Sequence, residues 1–71
     1  MDENFYKVQL DHGLSFKSDD VFDIEHEAEL LYDQYVEVIP KTKIGQGVKL
    51  IRCQFIDHKL TDVETLKQFK L

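Results

Sequence analysis

Residues 21–35, VFDIEHEAELLYDQY, carry apolar side chains at the spacing of an α-helix, and this period constrains the fold more than any other feature. Six apolar side chains fall within an arc of roughly 100° on a helical wheel. They are Val21, Ile24, Ala28, Leu31, Tyr32 and Tyr35. Ser18, Asp19 and Asp20 precede them and are all residues that cap helix N-termini well. We therefore predict one main helix over about 20–34, packed on a core through this arc.

Two short runs before this segment predict a β-hairpin. Residues 5–10 and 14–17 both alternate between apolar and polar side chains, as half-buried strands do. The three residues between them are Asp11, His12 and Gly13, and the glycine suits the left-handed conformation of a bulged turn. The first hairpin is therefore placed before the helix.

A second hairpin is predicted after the helix. Residues 35–40, YVEVIP, are rich in β-branched side chains, and residues 48–56, VKLIRCQFI, form the longest strand-like run. The connecting KTKIGQG contains two glycines and two lysines, which favours a basic loop at the hairpin tip. Because 48–56 is apolar on both faces, it is expected to be a central strand that is covered on both sides or forms a dimer contact.

The C-terminal segment can be interpreted in two ways. Thr61-Asp62-Val63-Glu64 matches a capping box, which predicts a short helix over 62–70, whereas the alternation of Lys67, Phe69 and Leu71 is typical of an edge strand. With the helix preferred, the element order is ββαββα. The chain is predicted to be one small α+β domain spanning 1–71, with two β-hairpins forming a mostly antiparallel four-stranded sheet.

Charge is distributed unevenly along the 71 residues, whose net charge is −5. Residues 1–40 contain eleven acids and two lysines, whereas residues 41–71 contain seven basic residues and three acids. The N-terminus lacks the basic and apolar regions of a secretory signal, and Cys53 has no second cysteine with which to form a disulfide. These features favour a cytoplasmic protein without a membrane segment.

Residue patterns that support catalysis or cofactor binding are not evident. Cys53 alternates with Ile51 and Phe55 on an apolar face, where a thiol behaves as a small hydrophobic group. His12, His26 and His58 each follow an acid, but their spacing does not match a zinc or di-iron motif. We therefore expect neither enzymatic activity nor a bound metal or cofactor.

The polar side of the predicted helix suggests a binding surface. Leu30 lies opposite the core arc with Phe22 beside it, and Asp23, Glu27 and Asp33 surround them. An apolar residue within a ring of carboxylates is suited to docking on a basic groove of another protein. The sequence thus predicts a small accessory or regulatory protein that acts by protein–protein binding, with a phage or mobile-element origin as one source of such chains.

Two alternatives remain open at this stage. A nucleic-acid binder would use the basic 41–52 hairpin, with phosphate contacts from Lys41, Lys43, Lys49 and Arg52. A structural homo-oligomer subunit would instead hide the second apolar face of 48–56 in a contact between copies.

Overall fold

The computed structural model describes residues 3–13 and 16–71, and these form a four-stranded sheet with one helix. The elements are β1 (Asn4–Gly13), β2 (Phe16–Phe22), α1 (Glu25–Thr42), β3 (Gly47–Ile56) and β4 (Lys59–Lys70). The strand order is β2-β1-β3-β4, and every neighbouring pair is antiparallel. Since β2 and β3 are both antiparallel to β1, they run in the same direction, and α1 connects them. The α+β class and the antiparallel four-stranded sheet are therefore confirmed.

The hydrophobic core lies between α1 and one face of the sheet. In the register of β1 and β3, Val8 is opposite Leu50 and Leu10 is opposite Val48, and all four side chains are buried. The helix adds the buried residues Ala28, Tyr32 and Ile39. Burying these apolar side chains away from water is the main source of stability in a fold of this size.

The helix lies further along the chain than the predicted range of 20–34. Pairing of β2 with β1 continues to Phe22, opposite Tyr6, so the chain is still extended where the helix was expected to begin. As a result Val21 and Ile24 are exposed, and the prediction that they belong to the core arc was wrong. The predictions for Ala28, Leu31, Tyr32 and Tyr35 are confirmed, because all four pack in or against the core.

The prediction of a strand over 35–40 was wrong, because α1 continues to Thr42. Val36 and Ile39 extend the helical spacing of the core face, and the burial of Ile39 outweighs the β-propensity of this segment. Pro40 lies in the last turn of α1. Lys43, the residue after the helix, caps it: this residue adopts a left-handed φ of 56° and donates its N–H to the Ile39 carbonyl at 3.1 Å. The basic 41–52 hairpin was therefore also wrong.

The predicted C-terminal helix over 62–70 was wrong, and the edge-strand alternative is confirmed, because these residues belong to β4. The β3–β4 register has two irregularities: Leu50 pairs with Lys67, while Ile51 pairs with Thr65, which leaves Leu66 as an extra residue. This bulge allows Leu66 and Phe69 to pack against the same core although they are three residues apart. A bulged strand thereby reproduces the spacing of a helix, and the element order is ββαββ.

The two hairpin turns differ in how well the sequence predicts them. Gly13 has a left-handed φ of 83° next to a register irregularity, as predicted, but β1 extends through the segment expected to be the turn. Leu14 and Ser15 lie outside the described residues. The other hairpin of the structure, which the sequence did not predict, joins β3 to β4 through Asp57 and His58. Their φ values of 53° and 66° are those of a type I′ turn.

Candidate binding surfaces

The sheet has a second face that α1 does not cover, which we call the open face. Cross-strand partners share a face, so the register of the four strands identifies the side chains on it. They are Phe5, Lys7, Gln9 and Asp11 from β1; Lys17, Asp19 and Val21 from β2; Lys49, Ile51, Cys53 and Phe55 from β3; and Leu60, Asp62, Thr65, Gln68 and Lys70 from β4. The prediction that β3 is apolar on both faces is confirmed.

The open face has an apolar region near the C-terminal end of β3, which we call the aromatic end. The rings of Phe5 and Phe55 make an edge-to-face contact with centroids 5.3 Å apart. Phe55 is 61% exposed and Val21 is 48% exposed. Ile51 and Cys53 are buried on this face although no described element packs over it. The aromatic end therefore presents apolar surface to solvent through Phe55 and Val21.

An ion pair crosses β3 beside the aromatic end. Lys7 Nζ lies 2.7 Å from Asp62 Oδ1, and the Lys7 side chain is only 14% exposed. Its aliphatic stem covers apolar surface while the ammonium reaches the carboxylate. The hydrogen bond from Lys7 holds the pKa of Asp62 below its ordinary value, although burial opposes this. Burial lowers the pKa of Lys7. The hydrogen bond and the charge of Asp62 raise this pKa by more than burial lowers it, so the net pKa is above the ordinary value.

Cys53 is inert as a nucleophile in this environment. Its thiol is fully buried and lies 3.4 Å from Asp62 Oδ1 and 3.7 Å from the Ile51 carbonyl oxygen, both of which can accept its proton. Burial, together with the hydrogen bond to the Asp62 carboxylate, raises the pKa of the Cys53 thiol to about 11. The thiolate that nucleophilic chemistry requires is therefore scarce at neutral pH.

The structure brings together part of the predicted partner surface on α1. Leu30 is 51% exposed, and Glu27 and Asp33 are exposed one turn before and after it. Asp23 is exposed in the bend that precedes the helix. Phe22 does not belong to this surface, because it ends β2 and packs against the core, so its predicted position on a solvated helix face was wrong.

The four predicted phosphate contacts lie in three separate regions. Lys41 is in the last turn of α1 and pairs with Glu37 at 3.5 Å, and Lys43 follows as the helix cap. Lys49 is on the open face. Arg52 points to the opposite face, where it donates to Glu64 at 3.3 Å and to Asn4 at 3.2 Å. The structure does not bring them together.

The sequence alone did not predict the open-face cluster of Phe5, Lys7, Phe55 and Asp62. Alternation in residues 5–10 places Phe5 and Lys7 on one face of their strand. Alternation in residues 48–56 likewise places Phe55 on one face of its strand. The position of Asp62 could not be inferred, because that residue was assigned to a helix rather than to a strand beside β3.

Metal-ligating side chains do not cluster in the described parts of the chain: no three of the His, Cys, Asp and Glu residues there are arranged to hold an ion. The histidines are dispersed, with His12 in β1, His26 in α1 and His58 in the β3–β4 turn. Within residues 3–13 and 16–71, no helix combines the length and apolar character needed to cross a lipid bilayer.

Comparison with protein-family models, with curated proteins and with solved structures found no match to this chain.

Proposed function

We propose that this is a non-enzymatic accessory protein that acts by protein–protein binding, and that the aromatic end of its open face pairs with a second copy of the chain. The observation that supports this proposal is the exposed Phe55 ring, held in edge-to-face contact with the half-buried Phe5 on a sheet face that no described element covers. Aromatic side chains on rigid strands supply contact area at low entropic cost and are enriched at the centres of interfaces.

The distribution of charge favours a second copy as the occupant. The whole chain carries −5. The open face contains four lysines and three aspartates, a net charge of +1: Lys7, Lys17, Lys49, Lys70, Asp11, Asp19 and Asp62. Two acidic molecules repel each other least when these nearly neutral faces meet and the acidic helices point away from the contact. Face-to-face stacking of two sheets about 10 Å apart is a common way to bury such faces.

Light scattering during size-exclusion chromatography, over a range of protein concentrations, tests the pairing. We expect twice the chain mass at high concentration and the single-chain mass for Phe55→Ser. Leu30→Ser is the matched control, since Leu30 is similarly exposed but lies on α1, and it should leave the mass unchanged. Circular dichroism verifies that both variants fold. A wild-type protein that stays monomeric, or a Phe55→Ser variant that still pairs, would overturn the proposal.

A second candidate surface is the acidic side of α1 around Leu30, which would face outward from such a dimer. Glu27 and Asp33 flank the half-exposed leucine, and Glu37, about two turns after Leu30, extends the row of acids along the helix. The fitting partner is a protein with a basic groove that contains an apolar pocket. Carboxylates of this kind accelerate encounter and select the partner more than they increase affinity.

Affinity capture from the native host, quantified by mass spectrometry, tests this second surface. We expect a basic protein to be retained by the wild-type chain and by Phe55→Ser but lost with Leu30→Ala, which should remain folded. If Leu30→Ala unfolds the domain, or if it retains the same proteins as wild type, the helix surface has no such role. We also propose a cytoplasmic setting, because Cys53 is a free thiol of the kind that reducing compartments maintain.

A further inference from the structure

We infer that a small cavity at the end of the open face remote from the aromatic end binds a phosphate group. The cavity has a volume of about 100 Å³. It is lined by Gln9, Asp11, Lys17, Val48, Lys49, Gln68, Phe69 and Lys70. Pockets for whole nucleotides or drug-sized ligands are several times larger, so a single tetrahedral oxyanion is the class of ligand that fits.

The cavity collects three lysines, of which Lys49 also acts on Asp62 by helping to lower its pKa. Of the nine lysines and arginines, four make ion pairs within the described residues: Lys7, Lys41, Arg52 and Lys67. Lys17, Lys49 and Lys70 make none there, yet these three come from three different strands and line the same cavity. In a chain with a net charge of −5, such convergence creates a local positive potential that attracts an anion.

The backbone register brings lining residues of the cavity together around Gly47. Gly47 of β3 pairs with Asp11 on one side and with Lys70 on the other. A Cβ atom added at Gly47 would lie 2.7 Å from the Phe69 carbonyl oxygen, so a larger residue is excluded. The β4 backbone therefore lies close against Gly47, and the two partners of Gly47, Asp11 and Lys70, are both lining residues of the cavity.

The polar residues of the lining distinguish phosphate from other oxyanions. The side-chain amide of Gln68 can donate hydrogen bonds to an anion, and Gln9, whose Nε2 already donates to Asp19 Oδ1 at 3.1 Å, has a second amide hydrogen that can do the same. Asp11 is the one carboxylate among the lining residues. A carboxylate repels sulfate, which is fully deprotonated, but it can accept a hydrogen bond from the hydroxyl that phosphate retains near neutral pH. The cavity should therefore prefer phosphate to sulfate, whereas three lysines alone would not discriminate in this way.

Titration with inorganic phosphate, followed by two-dimensional ¹H–¹⁵N NMR at pH 7 and constant ionic strength, tests this inference. We expect saturable shifts confined to residues around the cavity, such as Gln9, Lys49 and Gln68, and weaker binding of sulfate. Repeating the titration on Phe55→Ser keeps the result independent of the proposed pairing of copies. Methyl phosphate as a third probe distinguishes the free ion from a phosphate ester: at pH 7 its dianion lacks the hydroxyl that Asp11 would accept, so we expect it to bind as weakly as sulfate, and binding equal to that of phosphate would contradict the role of Asp11.

Three variants make the test specific. Lys49→Gln should weaken phosphate binding by about fivefold or more, the loss expected for one partly exposed charged contact. Lys59→Gln removes the same charge beside the β3–β4 turn, where Lys59 is exposed and unpaired in the described residues, and should leave binding unchanged. Asp11→Asn should reduce the preference for phosphate over sulfate. Shifts that do not saturate, or an equal effect of Lys49→Gln and Lys59→Gln, would overturn the inference.

Discussion

Lys7 and Asp62 join β1 to β4 through a 2.7 Å ion pair that passes over the intervening strand β3. The two residues are distant in sequence, and β1 and β4 are not hydrogen-bonded to each other. The pair therefore ties the edge strand β4 to the sheet by a contact additional to the β3–β4 ladder. The same carboxylate also accepts a hydrogen bond from the Cys53 thiol, at 3.4 Å.

Asp62→Asn should lower the free energy of unfolding by about 1 kcal/mol at pH 7, the upper end of the range for partly exposed ion pairs. The loss arises because the largely buried Lys7 side chain keeps the desolvation cost of its charge but loses its counter-ion. Urea denaturation measures the change. Asp33→Asn is the control, because Asp33 is exposed and makes no ion pair within the described residues. Equal stability of the two variants would show that the Lys7–Asp62 pair contributes nothing.

The stability difference between wild type and Asp62→Asn should depend on pH. The folded pKa of Asp62 is lowered from 3.8, so its contribution is present above that value and is lost as the pH falls through the folded pKa. The folded pKa of Lys7 is raised from 10.5, so its contribution is present below that value and is lost as the pH rises through the folded pKa. Urea titrations should give a constant difference between about pH 5 and pH 9 and a smaller one below about pH 3. A difference that increases on acidification would contradict this assignment.

Cys53 should react with Ellman's reagent much more slowly in the folded protein than in urea. With its pKa raised from 9.0 to about 11, the thiolate fraction near pH 8 decreases roughly 100-fold, and burial limits access further. We expect one equivalent of thiol to react promptly after unfolding and almost none before it. Rapid labelling of the folded chain would mean that the sheet around Cys53 unfolds locally far more readily than the burial of this thiol indicates.

The sequence predicted the parts of this fold that local patterns specify. Alternation was sufficient for β1 and β3, and helical spacing was sufficient for the middle of α1. The predictions of where the helix begins and ends were wrong, because each boundary depends on a contact with a residue distant in sequence. β2 remains extended to Phe22 because Tyr6 lies opposite, and α1 continues through residues 35–40 because Ile39 is buried against the sheet.

The candidate sites were predicted less well than the fold, for a similar reason. Exposure of Leu30 follows from the helical wheel alone, and it was predicted correctly. The Lys7–Asp62 pair and the basic cavity both require β4 to lie beside β3. The bulge at Leu66 gives the apolar residues of β4 the spacing of a helix, so the sequence does not indicate a strand there. A register irregularity leaves no simple period in a sequence, so neither site could be found before the structure.

Truncation of a single buried side chain tests the extension of α1. Ile39→Ala should destabilise the protein by about 3 kcal/mol, because it removes a fully buried side chain and leaves a cavity between helix and sheet. Glu37→Ala, at an exposed position two residues earlier, should change the stability by less than about 0.5 kcal/mol. Thermal unfolding followed by circular dichroism compares the two. A strand over 35–40 with Ile39 at its surface would give the two variants similar stabilities.

The β3–β4 turn should be improved by residues that prefer its backbone conformation. Asp57 and His58 both have positive φ, which costs energy for residues with a Cβ, although aspartate tolerates it better than most. The double variant Asp57→Asn/His58→Gly introduces the pair most favoured in type I′ turns and should raise the free energy of unfolding by about 1 kcal/mol. His26→Gly provides the control, because the same replacement at an exposed position in the first turn of α1 releases no strain and should lower stability. If both glycine variants destabilise the protein in urea, the left-handed turn at 57–58 is not the conformation that the chain adopts in solution.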